Sequence, residues 1–167
     1  TAIFDAAGNA ALVTTTTGTI TLADQLAPKI ADAKLGSGNS YVDVTFSEPV
    51  YSASNGTGAL TKDSFALLFN QNGGSVTNVT ISSATKTDNS PLAGGETTVR
   101  LHLTVTGTPT GVETIEIKPA NDTSIYDEAG NAALATESTG LVTLKEMVPP
   151  TITGKTLGGG NSYVDVT

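Results

Sequence analysis

Apolar and polar residues alternate with period two along much of this chain, the spacing that turns one face of a strand toward a core and the other toward water. Val99, Leu101, Leu103 and Val105 interleave with Arg100, His102 and Thr104, while Val42, Val44 and Phe46 interleave with Asp43 and Thr45. The same pattern predicts strands over residues 29–35, 64–70, 75–82, 112–118 and 140–145, with Glu113 and Glu116 on solvated faces. Turn chemistry separates them at residues 36–39, 55–58, 72–74, 94–95 and 107–111, all rich in Gly and all but Gly94-Gly95 also holding Asn, Ser or Thr. Helical periodicity is absent, apart from one short turn that residues 129–136 would allow. About seven short strands at this spacing predict an all-β, Greek-key β-sandwich.

The pattern also repeats. Residues 3–45 and 125–167 align without a gap at an offset of 122, and 25 of the 43 pairs are identical. Residues 38–45 return unchanged as 160–167. Such periodicity marks a tandem array, whose modules supply length and display surface. Proline breaks ladder pairing and favours an extended linker, so Pro28 and the Pro149-Pro150 pair mark boundaries. Residues 28–148 then form one complete module, residues 1–26 the end of a preceding one, and residues 150–167 the first strands of a following one. The chain reads as a window onto a longer array.

Composition narrows the function classes. Twenty-nine threonines and 18 glycines, with 5% aromatic residues, suit half-solvated strands joined by tight turns, as in secreted β-proteins. Without cysteine, packing or ions must hold the fold, and disulfides do not. A net charge of −8 disfavours nucleic acid and anionic membranes and suits a surface that binds cations. No stretch approaches the ~18 apolar residues of a membrane span.

Two motifs carry a resemblance. Tyr41-Val42-Asp43-Val44-Thr45-Phe46-Ser47-Glu48-Pro49 near the start of the module, and Asp127-Glu128-Ala129-Gly130-Asn131 near its end, resemble the two signatures of bacterial immunoglobulin-like tandem repeats. The resemblance runs through residues 28–148 in order. It implies an immunoglobulin-like sandwich in a large adhesin, surface-layer protein or filament, at a prokaryotic cell surface or outside the cell. Related repeats of large adhesins imply calcium, with Asp127, Glu128 and Asn131 as oxygen ligands and Asp5 and Asn9 repeating them in the preceding module. The residues alone also fit a structural loop, in which the aspartate caps an Asx-turn and glycine turns left-handed. Calcium takes roughly six to eight oxygens, more than this loop's side chains offer. Asp24 and Glu146 lie in the linkers, where a cation would stiffen an array.

Catalytic readings find little support. Gly154-Lys155-Thr156 ends like a phosphate-binding loop, but Pro149 stands where its first glycine belongs. His102, the single histidine, falls on the outward face of its strand, and there is no cysteine for a thiolate. Asn55, Asn78 and Asn121 begin glycosylation sequons, and the threonine run at 14–17 suits either O-linked sugar or a strand edge. The chain is therefore expected to be a non-enzymatic repeat whose partners are neighbouring copies, covalently joined or docked tail to head. The alternative is a module that binds carbohydrate or protein through its loops; the scarcity of aromatic residues weighs against a sugar platform.

Overall fold

The two clearest alternating segments become the centre of a sheet. In the computed structural model, which describes residues 2–14 and 16–167, β1 (Ile30–Leu35), β2 (Tyr41–Val50), β3 (Phe65–Asn70), β4 (Asn78–Thr85), β5 (Glu96–Thr106), β6 (Thr114–Pro119) and β7 (Val142–Thr143) are followed by β8 (Lys155–Leu157) and β9 (Val164–Val166). Thr1, and Thr15 within the threonine run, lie outside the described residues. All strand pairs are antiparallel. One sheet has the order β1-β2-β5-β4, a second β3-β6-β7, and β8 with β9 forms a separate hairpin.

Both sheets contribute to one core. Val42, Val44 and Phe46 of β2, Val99 and Leu101 of β5, and Ile115 and Ile117 of β6 are buried together, as the alternation predicts. Phe46 and Phe65 meet across the sheets with ring centroids 6.4 Å apart. On the outer face of the first sheet, Asp43 lies opposite Arg100 in the β2–β5 register and accepts two guanidinium hydrogen bonds, each 2.8 Å. The same guanidinium stacks 3.8 Å above the Tyr41 ring. The β2–β5 ladder breaks between Thr45 and Val50, the stretch that holds Pro49, which has no N–H to donate.

Several details depart from the sequence reading. β4 begins at Asn78 and runs to Thr85, because Ser75 and Val76 turn their N–H groups to a side chain and a bulge lies between Ile81 and Ser83. β7 keeps only two residues, and residues 129–136 hold turns and an isolated bridge in place of a helical turn. Short 3-10 turns at Ser37–Asn39, Lys62–Ser64 and Gly159–Asn161 were not foreseen. Glu113 is fully buried and is not on a solvated face. Among the described residues no helix is long and apolar enough to cross a membrane.

Candidate functional site

The Asp-x-Ala-Gly-Asn loop is built from the backbone outward. Tyr126, just before it, exchanges two backbone hydrogen bonds with Tyr51 beyond the end of β2, which fixes the loop against the body of the fold. Asp127 is buried, and its carboxylate accepts the Asn131 backbone N–H and the Asn131 side-chain amide, each at 2.7 Å. Gly130, at φ +93°, runs so close to the Ser54 carbonyl that no Cβ fits. The Asn131 amide nitrogen also reaches the Asp24 carbonyl at 3.3 Å, so the loop holds the incoming linker. The preceding copy closes in the same way. Asp5 accepts from the Asn9 backbone at 2.8 Å and from its side-chain amide at 2.9 Å, and the bonds from Asn9 hold the exposed Asp5 carboxyl below the usual range.

Three carboxylates converge where the linker meets this loop. Asp24 from the linker, Glu48 from the Phe-Ser-Glu-Pro end of β2 and Asp127 from the loop each present an oxygen within 4.8 Å of the others. They stand beside a shallow cleft lined by Asp24, Glu48, Pro49, Glu128 and Ala129. Burial, and then the negative charges of Asp127 and Asp24, push the Glu48 carboxyl above its ordinary range.

The five residues expected to ligate calcium thus divide. Asp127 belongs to the carboxylate cluster, and Glu128 is exposed on the cleft wall without joining it. Asn131 braces Asp127 through its amide nitrogen. Asp5 and Asn9 pair with each other and join no cluster of three acids among the described residues. Asp24 and Glu48 complete the cluster, and neither was expected beside Asp127. A signal for them exists, since Glu48 sits inside one repeat signature and Asp24 is matched 122 positions later by another acid, Glu146.

Chemically, the arrangement suits a hard cation. Calcium–oxygen bonds of about 2.3–2.6 Å allow donors up to roughly 5 Å apart around one ion, and these three oxygens fall inside that limit. Without a cation, three carboxylates repel one another across a partly desolvated cleft.

The remaining candidates make contacts within the fold. His102 Nε2 shares a 3.0 Å hydrogen bond with the Thr85 hydroxyl. In two sequons the threonine donates to the asparagine oxygen, Thr57 to Asn55 at 2.6 Å and Thr123 to Asn121 at 2.8 Å. Glu113 crosslinks two loops, accepting the N–H groups of Ser75, Val76 and Thr110 and the Thr110 hydroxyl. Comparison of the chain with protein-family models, with curated proteins and with solved structures returned no match.

Proposed function

We propose that this chain is a stretch of an extracellular tandem-repeat protein, a non-enzymatic module of a prokaryotic fibre, stalk, surface layer or large adhesin that gives reach from the cell and spaces what it displays. The observation that carries this reading is the ungapped 122-residue repeat, 25 of 43 positions identical, which places corresponding segments on either side of residues 46–124. Strand order supports an immunoglobulin-like module. The orders β1-β2-β5-β4 and β3-β6-β7 correspond to the ABED and CFG sheets of a seven-stranded, constant-type domain. Fixed linkers suit a load-bearing array. The incoming one is held at Asp24 by Asn131, and the outgoing one is held where the Lys145 backbone pairs with the Asn39 side chain and Met147 N–H bonds the Pro109 carbonyl.

Calcium belongs to this reading as the occupant of the Asp24, Glu48 and Asp127 cluster, where it would tie linker to module. A melting temperature that rises with added calcium and falls with chelator is expected; an unchanged one removes the cation from the reading. For the function itself, the test is the mass of the native polypeptide under denaturing conditions, together with surface labelling of intact cells. A mass many times 16.8 kDa in the surface-labelled fraction is expected. A native chain of about this size inside the cell would overturn the proposal.

A further inference from the structure

We propose that the free edge of β3 is a contact between copies of this chain, pairing antiparallel with β3 of a second copy about a two-fold axis at Leu68. β3 lies inside the complete module, at the outer edge of the β3-β6-β7 sheet, so one side of its backbone has no neighbouring strand among the described residues. An open edge of this kind is a template for a further strand, and folds ordinarily guard it. The other edges of the two sheets are guarded. β1 carries Asp32, Lys34 and a bulge after Ile30, β4 is bulged between Ile81 and Ser83, and β7 has only two residues. β3 is Phe65-Ala66-Leu67-Leu68-Phe69-Asn70, without charge or proline and in unbroken register with β6. An open cleft of about 210 Å³ separates Phe65 and Leu67 from Val79 and Ile81 of β4, which leaves the edge accessible.

Hydrogen-bond parity sets the register. Ile117 turns its backbone toward Thr139, donating to its hydroxyl and accepting its N–H. Leu67 lies opposite Ile117, so it directs its own N–H and C=O to the free edge. Phe65, Phe69 and, just past the strand, Gln71 share that parity. Two of these groups are already used: the Phe65 N–H bonds the Lys62 carbonyl, and the Gln71 carbonyl accepts the Gly74 N–H. What remains is the Phe65 carbonyl, the Gln71 N–H and both groups of Leu67 and Phe69. With Leu68 on the axis, Leu67 stands opposite Phe69 and Phe65 opposite Gln71, and every remaining donor meets a remaining acceptor. An axis at Leu67 would instead set the Phe69 carbonyl against the Phe65 N–H, which is already used.

The side chains agree with this register. On the outer face the axis brings Leu68, 47% exposed, against its own copy, the close contact of a non-hydrogen-bonded pair. Beside it Ala66 meets Asn70 of the second copy, and no charge in either strand opposes another.

A pairing of six-residue strands buries less than the ~800 Å² per partner of a standard interface, so one module binds weakly. In an array many modules engage together, and avidity strengthens the contact. β3 runs toward the outgoing linker: past its end Asn72 donates to the Val112 carbonyl, and Gly111 packs on Glu146. The two-fold reverses the second copy, so paired arrays run in opposite directions, as arrays projecting from two facing cells do. The partner is then another array of the same modules.

This last step rests on the repeat reading above, but the experiment uses only the 167-residue chain and leaves the mass and location of the native protein untouched, so either can fail alone. Light scattering from about 10 μM to about 1 mM should show a reversible equilibrium of monomer and dimer. Leu68→Lys and Leu68→Glu, with folding checked by circular dichroism, should each weaken dimerisation about tenfold, because like charges meet on the axis. Mixing L68K with L68E should restore it. Gln71→Pro removes a donor used only across the contact and should also weaken dimerisation about tenfold; if a Leu68 variant misfolds, Q71P decides. A native chain that stays monomeric throughout would overturn the proposal. So would a dimer that Q71P or L68K leaves unchanged, or a mixture that binds no tighter than its components.

Discussion

At the scale of single residues, Glu113 shows how a charged group becomes part of a core. It shares strand parity with Ile115 and Ile117, so the alternation that aims those isoleucines inward aims the carboxylate inward as well. The phase was legible in the sequence, but the residue type argued for solvent, and phase prevailed because four donors wait at the buried position. Burial alone would raise its carboxyl, yet hydrogen bonds led by the backbone N–H groups of Thr110, of Glu113 itself and of Val76 outweigh burial and hold it at about 2. Because the folded value lies below the unfolded 4.5, its contribution is complete above pH ~4.5 and is lost as pH falls toward 2. That contribution is on the order of 3 kcal/mol. Glu113→Gln sets an amide donor against the N–H groups of Ser75, Val76 and Thr110, and should cost about 2–4 kcal/mol at neutral pH in urea unfolding. The difference from the native protein should shrink as pH falls from 5 toward 2. A loss that is the same at every pH would rule out the carboxylate as its source.

At the scale of elements, near-identical sequences in two settings, differing in the turn only by Ser37 against Gly159, separate local from tertiary stabilisation. The turn at Ser37–Asn39 and its copy at Gly159–Asn161 adopt the same left-handed backbone. Only in the first is the asparagine buried, where its amide accepts from the Lys145 N–H and donates to the Lys145 carbonyl, both at 2.8 Å. Asn39→Ala should therefore cost about 2–3 kcal/mol, from two stranded backbone groups and a strained φ, whereas Asn161→Ala should cost under about 1 kcal/mol. Thermal unfolding of the two variants side by side checks this, and equal losses would mean that the local turn alone carries the effect. The same distinction governs what could be read in the sequence. β2 and β5 were visible because their apolar faces are long and regular. The limits of β4 and β7 were hidden, because they depend on Glu113 capturing the backbone of residues 75 and 76 and on Lys145 pairing with Asn39 across 106 positions.

At the scale of the whole molecule, three carboxylates from distant parts of the chain meet where Asp24 passes the Asp127 loop. The loop motif was legible, and so was its aspartate. Asp24 and Glu48 each carried a signal of their own, but their convergence on Asp127 was not legible, since it arises only once residues about 80 and 100 positions away are brought together. With the Glu48 carboxyl raised above 4.5, its ionised form is disfavoured in the folded state, chiefly by burial and then by its two acidic neighbours. Stability from this group is present below pH ~4.5 and is lost as pH rises through the folded value. In chelator at pH 7, Glu48→Gln should accordingly raise the melting temperature by about 2–4 °C, and the gain should vanish near pH 4. Added calcium should reverse the order, because the native protein keeps all three carboxylates as ligands while the variant loses one. A calcium response of equal size in both proteins would place the cation elsewhere. Should Glu48→Gln be no more stable than the native protein in chelator at pH 7, mutual repulsion would not be what limits the grip of the linker on the module.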